Sequence, residues 1–398
     1  MLTKETGILF ILLILIQRII FNDRKQIIPF LGCGFIILLV YCLIRFGIGG
    51  VYFDARELAT IAKLSLLERI VNIPAIIFYY LKTFFFPVTF AIDQMWIVAR
   101  INVSDFFAPL LIDTLFFVLV GIYGRYLFYS DKKIFKIYTF FTAWFIIGLG
   151  LHLQIFPLDL TVADRWFYFP MVGLLGIIGT VLHVLIKANI KFKVIGFSIA
   201  IIIISLLSIR TIVRNTDWVD AMTLYTHDTK INDNWDMENN LAAEYGFAQN
   251  YQEDLRHGLK SLEFFSYEVN IYNVGYDYEK LGNYQKAIEY YNKALHANTY
   301  NSITTNHKHN LEVYVRLSQL LLFQEHKTQE AKIISKLGVT DYPDSPYLRM
   351  ELAISEYKLR NQKEAVYAIK KAEAISPNDN LINYVYGKII SKQPILIK

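Results

Sequence analysis

Seven apolar runs of about 20 residues precede position 213 of this 398-residue chain, and none follows it. They lie at roughly 5–21, 27–46, 71–90, 108–128, 134–153, 168–186 and 194–212, each rich in Ile, Leu, Phe and Val. A helix of about 20 residues crosses the hydrocarbon layer of a membrane. Lipid supplies no hydrogen bonds to the backbone, so an apolar run of this length must satisfy its own N–H and C=O groups as a helix. Hydrophobic residues are 54% of the chain and charged residues 19%, too apolar for an ordinary soluble protein. The run at 71–90 is the least regular, because Pro74 and Pro87 interrupt it. The stretch 55–70 is amphipathic and charged, and predicts an interfacial helix.

The net charge of +5 does not point to nucleic acid, because Lys and Arg gather at helix ends and in short loops. No basic patch alternates with aromatic residues as a nucleic-acid groove would. Three segments are basic: Asn22–Gln26, with Arg24 and Lys25; Ser130–Lys136, with Lys132, Lys133 and Lys136; and Lys187–Lys193, with three lysines. Cytoplasmic loops carry such an excess of positive charge. The last two segments agree, being two spans apart. The first conflicts, since three candidate spans separate it from the second. A re-entrant or broken 71–90 would remove the conflict. One further span after the third basic segment puts the rest of the chain on the extracytoplasmic side.

Cys33 and Cys42 are nine residues apart in one apolar helix, about two and a half turns, so they face opposite ways and cannot pair. The histidines of the second half show no ligand spacing. No metal or cofactor is expected.

The loop between the fifth and sixth runs reads LHLQIFPLDLTVADRWFYFPMVG, with Asp164 beside Arg165 just before an aromatic series and Pro170. Composition alone favours an interfacial anchor in which Asp164 and Arg165 satisfy each other. The sharper reading is a charged site facing a membrane cavity, with Asp164, Arg165 and Tyr168 placed to hold an anionic lipid head group. The planar fork of arginine binds phosphate oxygens two at a time. Lys4 and Glu5, at the start of the first run, are further cavity candidates. For them, as for Asp113 and His152 near other run ends, snorkelling to the interface is the simpler expectation.

After position 213 the pattern changes. Ile271–Leu295 reads IYNVGYDYEKLGNYQKAIEYYNKAL, with small or apolar residues at Val274, Gly275, Tyr278, Ala287, Tyr291 and Ala294. This is the tetratricopeptide pattern over a 34-residue unit, 268–301. Ala331 and Ala365 are 34 apart, and so are Pro343 and Pro377. These mark units 312–345 and 346–379, with a capping helix at 380–392 and a degenerate unit at 235–267. Residues 1–213 are thus read as a polytopic membrane domain, 214–234 as a linker and 235–398 as the repeat domain. The fold class is all-α: a transmembrane helix bundle followed by an α-solenoid. The concave face of such a solenoid binds a protein or peptide segment.

Four motifs then fall in order: KETG at Lys4–Gly7, YYLKTFFFP at Tyr79–Pro87, ADRWFYFPMVG at Ala163–Gly173 and RNTDW at Arg214–Trp218. With the repeats behind them they resemble the transmembrane-and-tetratricopeptide-repeat glycosyltransferases, which include eukaryotic O-mannosyltransferases acting on cadherins and bacterial relatives. Trp166 departs from the Tyr or Leu usual in the third motif. The resemblance implies a fold-C glycosyltransferase that takes a sugar from a polyprenyl-phosphate carrier, a membrane lipid, on the extracytoplasmic side. The repeats would present a protein acceptor. In the family the KETG-like motif comes after several spans, so the resemblance places the acidic catalytic residue N-terminal to this chain. On that basis the chain alone is expected not to catalyse transfer. A membrane-anchored, non-enzymatic repeat scaffold is the alternative. The abundance of Ile, Asn and Lys suggests a bacterial cell membrane.

Overall fold

The computed structural model describes residues 5–21, 27–48, 60–188, 190–297 and 309–396. The chain divides into two compact units, Met1–Asp233 and Asn234–Lys398. Both are helical, and among the described residues the one β feature is an isolated antiparallel bridge, Gln94 to Val162.

The first unit holds α1 (Leu9–Ile20), α2 (Ile27–Cys42), α3 (Leu66–Phe85), α4 (Ala108–Ser130), α5 (Lys132–Gly150), α6 (Tyr168–Ala188), α7 (Ile190–Asn215) and α8 (Ala221–Asp228). Among the described residues, five stretches are long and apolar enough to cross a membrane: Ile27–Ile48, Val103–Ser130, Lys132–Gly150, Tyr168–Lys187 and Lys191–Trp218. Most of their side chains face outward, as lipid contact requires. The first expected span is a shorter apolar helix, α1, behind a 3-10 turn at Glu5–Ile8. Asp131 caps α5 by accepting from the backbone N–H groups of Lys133 and Ile134, and Lys187 at the end of α6 lies 3.5 Å from its carboxylate. The ends of α4 and α6 therefore meet at one end of the bundle.

The run expected at 71–90 is not among these stretches. Ser65 and Glu68 form a reciprocal capping box that starts the helix at Leu66, and it continues through Pro74 to Phe85. Near its start, Arg69 donates to the carbonyls of Gln154 and Ile155. In its second half, Tyr79 and Tyr80 bond Asp164 and Ala163. Just past its end, Arg210 donates to the carbonyls of Pro87 and Val88. All these partners stand where α5, α6 and α7 leave or enter the bundle at the end opposite Asp131. A helix tied along its length to one end of a bundle lies across that end. Of the interfacial helix expected at 55–70, the described residues hold a 3-10 turn at Thr60–Lys63 and the first residues of α3; residues 51–59 lie outside the described residues.

The closest helix contact in the bundle is α5 on α6. A Cβ on Gly173 would fall 2.4 Å from the Phe145 backbone nitrogen, and one on Gly176 would fall 2.1 Å from the Phe141 ring. Around this contact the interior collects Tyr138, Phe145, Leu149, Phe167, Leu174 and Ile177.

Of the stretch 214–234, expected as a linker, residues 214–233 are folded into the first unit and Asn234 caps α9 of the second. Arg214 and Asn215 close α7, a 3-10 turn follows at Thr216–Trp218, and Asp220 caps α8.

The second unit is a solenoid of helix pairs: α9 (Trp235–Phe247) with α10 (Tyr251–Phe264), α11 (Glu268–Lys280) with α12 (Tyr284–Leu295), α13 (Leu311–Gln319) with α14 (Thr328–Asp341), and α15 (Pro346–Lys358) with α16 (Gln362–Ile375), closed by α17 (Asn380–Ile390). Val274, Gly275, Tyr278, Ala287, Tyr291 and Ala294 are buried, as are Ala331 and Ala365. Gly282, at φ +76°, makes the turn between α11 and α12. Pro343 and Pro377 each stand two residues beyond a helix end, and their carbonyls accept from Arg349 and Asn383 at the same repeat position. The third pair carries one residue more than its neighbours. Ser318 precedes Ala331 by thirteen positions where Gly275 precedes Ala287 by twelve, and a π turn at Leu320–Gln324 absorbs the extra residue.

Candidate functional site at one end of the bundle

Two loops cover the end of the bundle on which α3 lies. Residues 86–102 and 151–163 meet at the Gln94–Val162 bridge, where the Thr161 N–H donates to the Gln94 carbonyl at 2.8 Å and the Thr161 hydroxyl to the Trp96 carbonyl at 2.5 Å. Gln154, with φ +60°, folds its amide back to bond Leu158, Leu160 and Thr161. The amide oxygen of Asn72 accepts from the Val98 N–H at 2.6 Å, fixing the first loop to α3.

Asp164 starts the 3-10 turn that leads into α6. Its carboxylate accepts a 2.6 Å hydrogen bond from the Tyr79 hydroxyl. Burial pushes the Asp164 carboxyl above its ordinary value, against the opposing pull of the Tyr79 bond and of the Arg214 and Arg165 charges. The neighbouring Tyr80 hydroxyl accepts from the Ala163 N–H at 3.3 Å, and its ring stacks on Phe167 at 5.1 Å. Arg165 does not pair with Asp164. Its side chain is exposed and makes no hydrogen bond to a described residue, so its charge reaches Asp164 only through space. Tyr168 is also exposed, at 69%, while Trp166 stacks on His152 at 5.2 Å. Arg165 and Tyr168 therefore stand at a surface, with Asp164 behind them. Lys4 lies outside the described residues, and so does the side chain of Glu5.

One cluster at this end has no counterpart among the candidates drawn from the sequence. Arg214 grips Asp228 with both Nη atoms, at 2.9 and 3.0 Å, and reaches Asp217 at 3.1 Å. Asp228 is fully buried, and also accepts from the Ile92 N–H at 2.7 Å and bonds His227 at 2.7 Å. Asn232 accepts from the Met95 N–H at 3.4 Å. The cluster locks α7, α8 and the first loop together, and the RNTDW motif was the signal that could have found it. Three of the four sequence motifs thus converge on one end of the bundle: Tyr79 and Pro87 from the second, Asp164 from the third, Arg214 and Asp217 from the fourth. Among the described residues no His, Cys, Asp and Glu set could hold a metal ion.

Residues 270–301 match the family model described as tetratricopeptide repeat. Protein O-mannosyl-transferase TMTC3 of Homo sapiens is 27% identical over 269 residues, which cover 63% of this chain and 28% of the human protein. The Mus musculus protein of the same name is 25% identical over 267 residues, with the same two shares. The chain thus spans little more than a quarter of the length of these curated relatives. Among solved structures, YrrB, a TPR protein with an unusual peptide-binding site, is 17% identical, covers 52% of this chain and 97% of its own, and has a TM-score of 0.36. MamA from Desulfovibrio magneticus RS-1 is 16% identical, covers 40% of this chain and 84% of its own, and has a TM-score of 0.35.

Proposed function

We propose, from the premise that this chain is of the TMTC-like transmembrane-and-tetratricopeptide-repeat glycosyltransferase family, that its membrane unit holds the phosphate of a polyprenyl-phosphate sugar for transfer to a protein acceptor presented by the repeats. The observation that carries this reading is the division of labour between Asp164 and Arg165. Tyr79 takes the Asp164 carboxylate. That leaves the Arg165 guanidinium exposed at the start of α6, with no ion pair to a described residue. An exposed arginine fork at the lipid interface suits two oxygens of a phosphate monoester or diester. Tyr168, exposed next to it, can add a hydroxyl donor or an apolar wall for the first isoprene unit.

A count of crossings supports an extracytoplasmic site. With α3 lying across the bundle, two crossings separate the Arg24 and Lys25 segment from Lys132 and Lys133, and two more separate those from Lys191 and Lys193. All three basic segments then share one side, which the positive-inside rule makes cytoplasmic. The site and residue 219 onward fall on the other side.

The test is binding of a polyprenyl-phosphate sugar to reconstituted protein, comparing wild type with Arg165→Lys. Lysine keeps the charge and loses the fork, so affinity should fall about tenfold while thermal unfolding stays unchanged. Equal carrier affinity in the two proteins defeats the phosphate role and leaves Arg165 an interfacial anchor. A membrane-bound scaffold would then be the better account of the chain.

A further inference from the structure

The end of the bundle where Asp131 caps α5 is strongly basic. Arg125–Lys136 and Lys187–Lys193 carry seven cationic side chains and one acidic one. That acid, Asp131, is already engaged: it accepts from the backbone N–H groups of Lys133 and Ile134, and Lys187 stands 3.5 Å away. Beside it a groove of about 440 Å³ runs along the outer face of α4, lined by Ile122, Arg125, Tyr126, Tyr129 and Ser130. These residues recur every three or four positions and so share one face of the helix. All five are exposed. Arg125 makes no hydrogen bond or ion pair with a described residue, and its guanidinium stands 5.4 Å from the Tyr129 ring centre. Tyr126 is held by stacking on Tyr123 at 6.3 Å.

A basic end by itself records only which side of a membrane it faces. The groove adds a site. Its polar groups are an arginine fork, two phenols and a hydroxyl, all able to donate, with no carboxylate among them. Arg125 stands five residues, about 8 Å, inside the end of α4. The head-group layer is about 6 Å deep on each side of a bilayer, so the long arginine side chain reaches the level of the lipid phosphates. Ile122 lies nearly a turn deeper and continues the groove as an apolar wall. A cationic ligand is repelled here. Phosphatidylcholine carries a phosphate, but its ammonium would sit among the lysines. A lipid whose phosphate charge is uncompensated meets only donors and cations. We propose that this groove binds an anionic phospholipid, its phosphate on the Arg125 fork among the hydroxyls of Tyr126, Tyr129 and Ser130, and its acyl chain along Ile122. The groove lies at the end of the bundle opposite Arg165 and does not depend on that residue's role.

The experiment reconstitutes the protein in phosphatidylcholine nanodiscs holding a trace of photoreactive probe, either phosphatidylglycerol or phosphatidylcholine with the same diazirine-bearing acyl chain. In wild type, peptides covering residues 115–130 should take up the phosphatidylglycerol probe about fivefold more than the phosphatidylcholine probe, the scale of one cation at an anionic surface. Arg125→Gln should remove most of that preference. Lys193→Gln, an equal loss of charge at the same end but outside the groove, should leave it in place. Equal labelling of wild type by the two probes overturns the proposal, and needs no variant to fold. So does a preference that survives Arg125→Gln, one that both variants reduce alike, or one spread evenly over peptides from the whole bundle, since diffuse attraction to the basic end would then suffice.

Discussion

The membrane unit and the repeat unit both pack helices in pairs, but the second adds buried alanines where the tightest contact of the first rests on glycine. In the first, Gly173 and Gly176 bring the α6 backbone against Phe141 and Phe145 of α5, with no room for a methyl group. In the second, Ala287, Ala294, Ala331, Ala365 and Ala372, fully buried among larger side chains such as Tyr291 and Ile369, share the work with Gly275 and Gly338, where an added Cβ would fall 2.8 Å from Tyr291 and from Leu348. The solvent explains the contrast. Lipid is as apolar as a leucine side chain, so burial gives helices in a membrane no reason to associate, and close backbone approach must supply the attraction. In water each buried methyl contributes, and alanine also costs less than glycine in a helix. Charge handling differs in the same way. The repeats bury Glu238, Asp254, Glu268, Asp277 and Glu351 against neighbouring groups, whereas Asp113 is the one carboxylate buried in a membrane-crossing stretch among the described residues.

The largest effect should come from breaking the glycine contact. Gly176→Leu drives a side chain into the Phe141 ring and should cost more than the usual overpacking penalty of about 1–3 kcal/mol. The folded yield in detergent, followed by thermal aggregation, reads it; a protein that melts like wild type would mean α5 and α6 do not depend on this approach. The matching change in the repeats, Ala287→Trp, should stay within about 1–3 kcal/mol, because a solenoid pair can splay locally. Unchanged unfolding of residues 234–398 would show that the repeat register is wrong.

The third prediction sharpens the charge contrast. Burial, then the adjoining Asp254 carboxylate, pushes Asp277 up to about 9, and burial pushes Glu351 up to about 8. Each group stays protonated in the fold at pH values where the unfolded chain has already ionised it. Its stabilising contribution is therefore full below about pH 4 and falls as pH rises toward those values, by at most about 1.4 kcal/mol per pH unit for each group. Thermal unfolding of the repeat unit should drop between pH 6 and 9, and Asp277→Asn, which removes the titration while keeping a hydrogen-bonding group, should flatten part of that slope. A wild-type melting temperature independent of pH over this range would contradict it.

How much of this was legible in the chain depends on the range of the interaction. The repeat pairs were readable because their signal is local: Gly275, Tyr278, Ala287 and Tyr291 lie within one 34-residue period. Five crossings were readable because hydropathy is a sum over one window. The π turn at Leu320–Gln324 could have been noticed from Ala331 falling one position late. The partner of Asp164 could not. Arg165 is adjacent in sequence and was the natural guess, yet the hydroxyl that takes the carboxylate comes from Tyr79, 85 residues away. Adjacent residues in a tight turn point apart, and only the packing of α3 across the bundle brings Tyr79 within reach.

The sequence by itself determined the helical nature of the first half, the crossing stretches and the period of the solenoid. Each of these follows from what a short segment needs of its solvent, and composition reports that need directly. The tertiary structure decided that α3 lies across the bundle, that Tyr79 frees Arg165 from Asp164, that Arg214 and Asp228 lock the end of α7, and that Asp113 is buried. Those outcomes depend on the direction in which a helix runs and on pairs far apart in the chain, and neither quantity is carried by hydropathy or spacing.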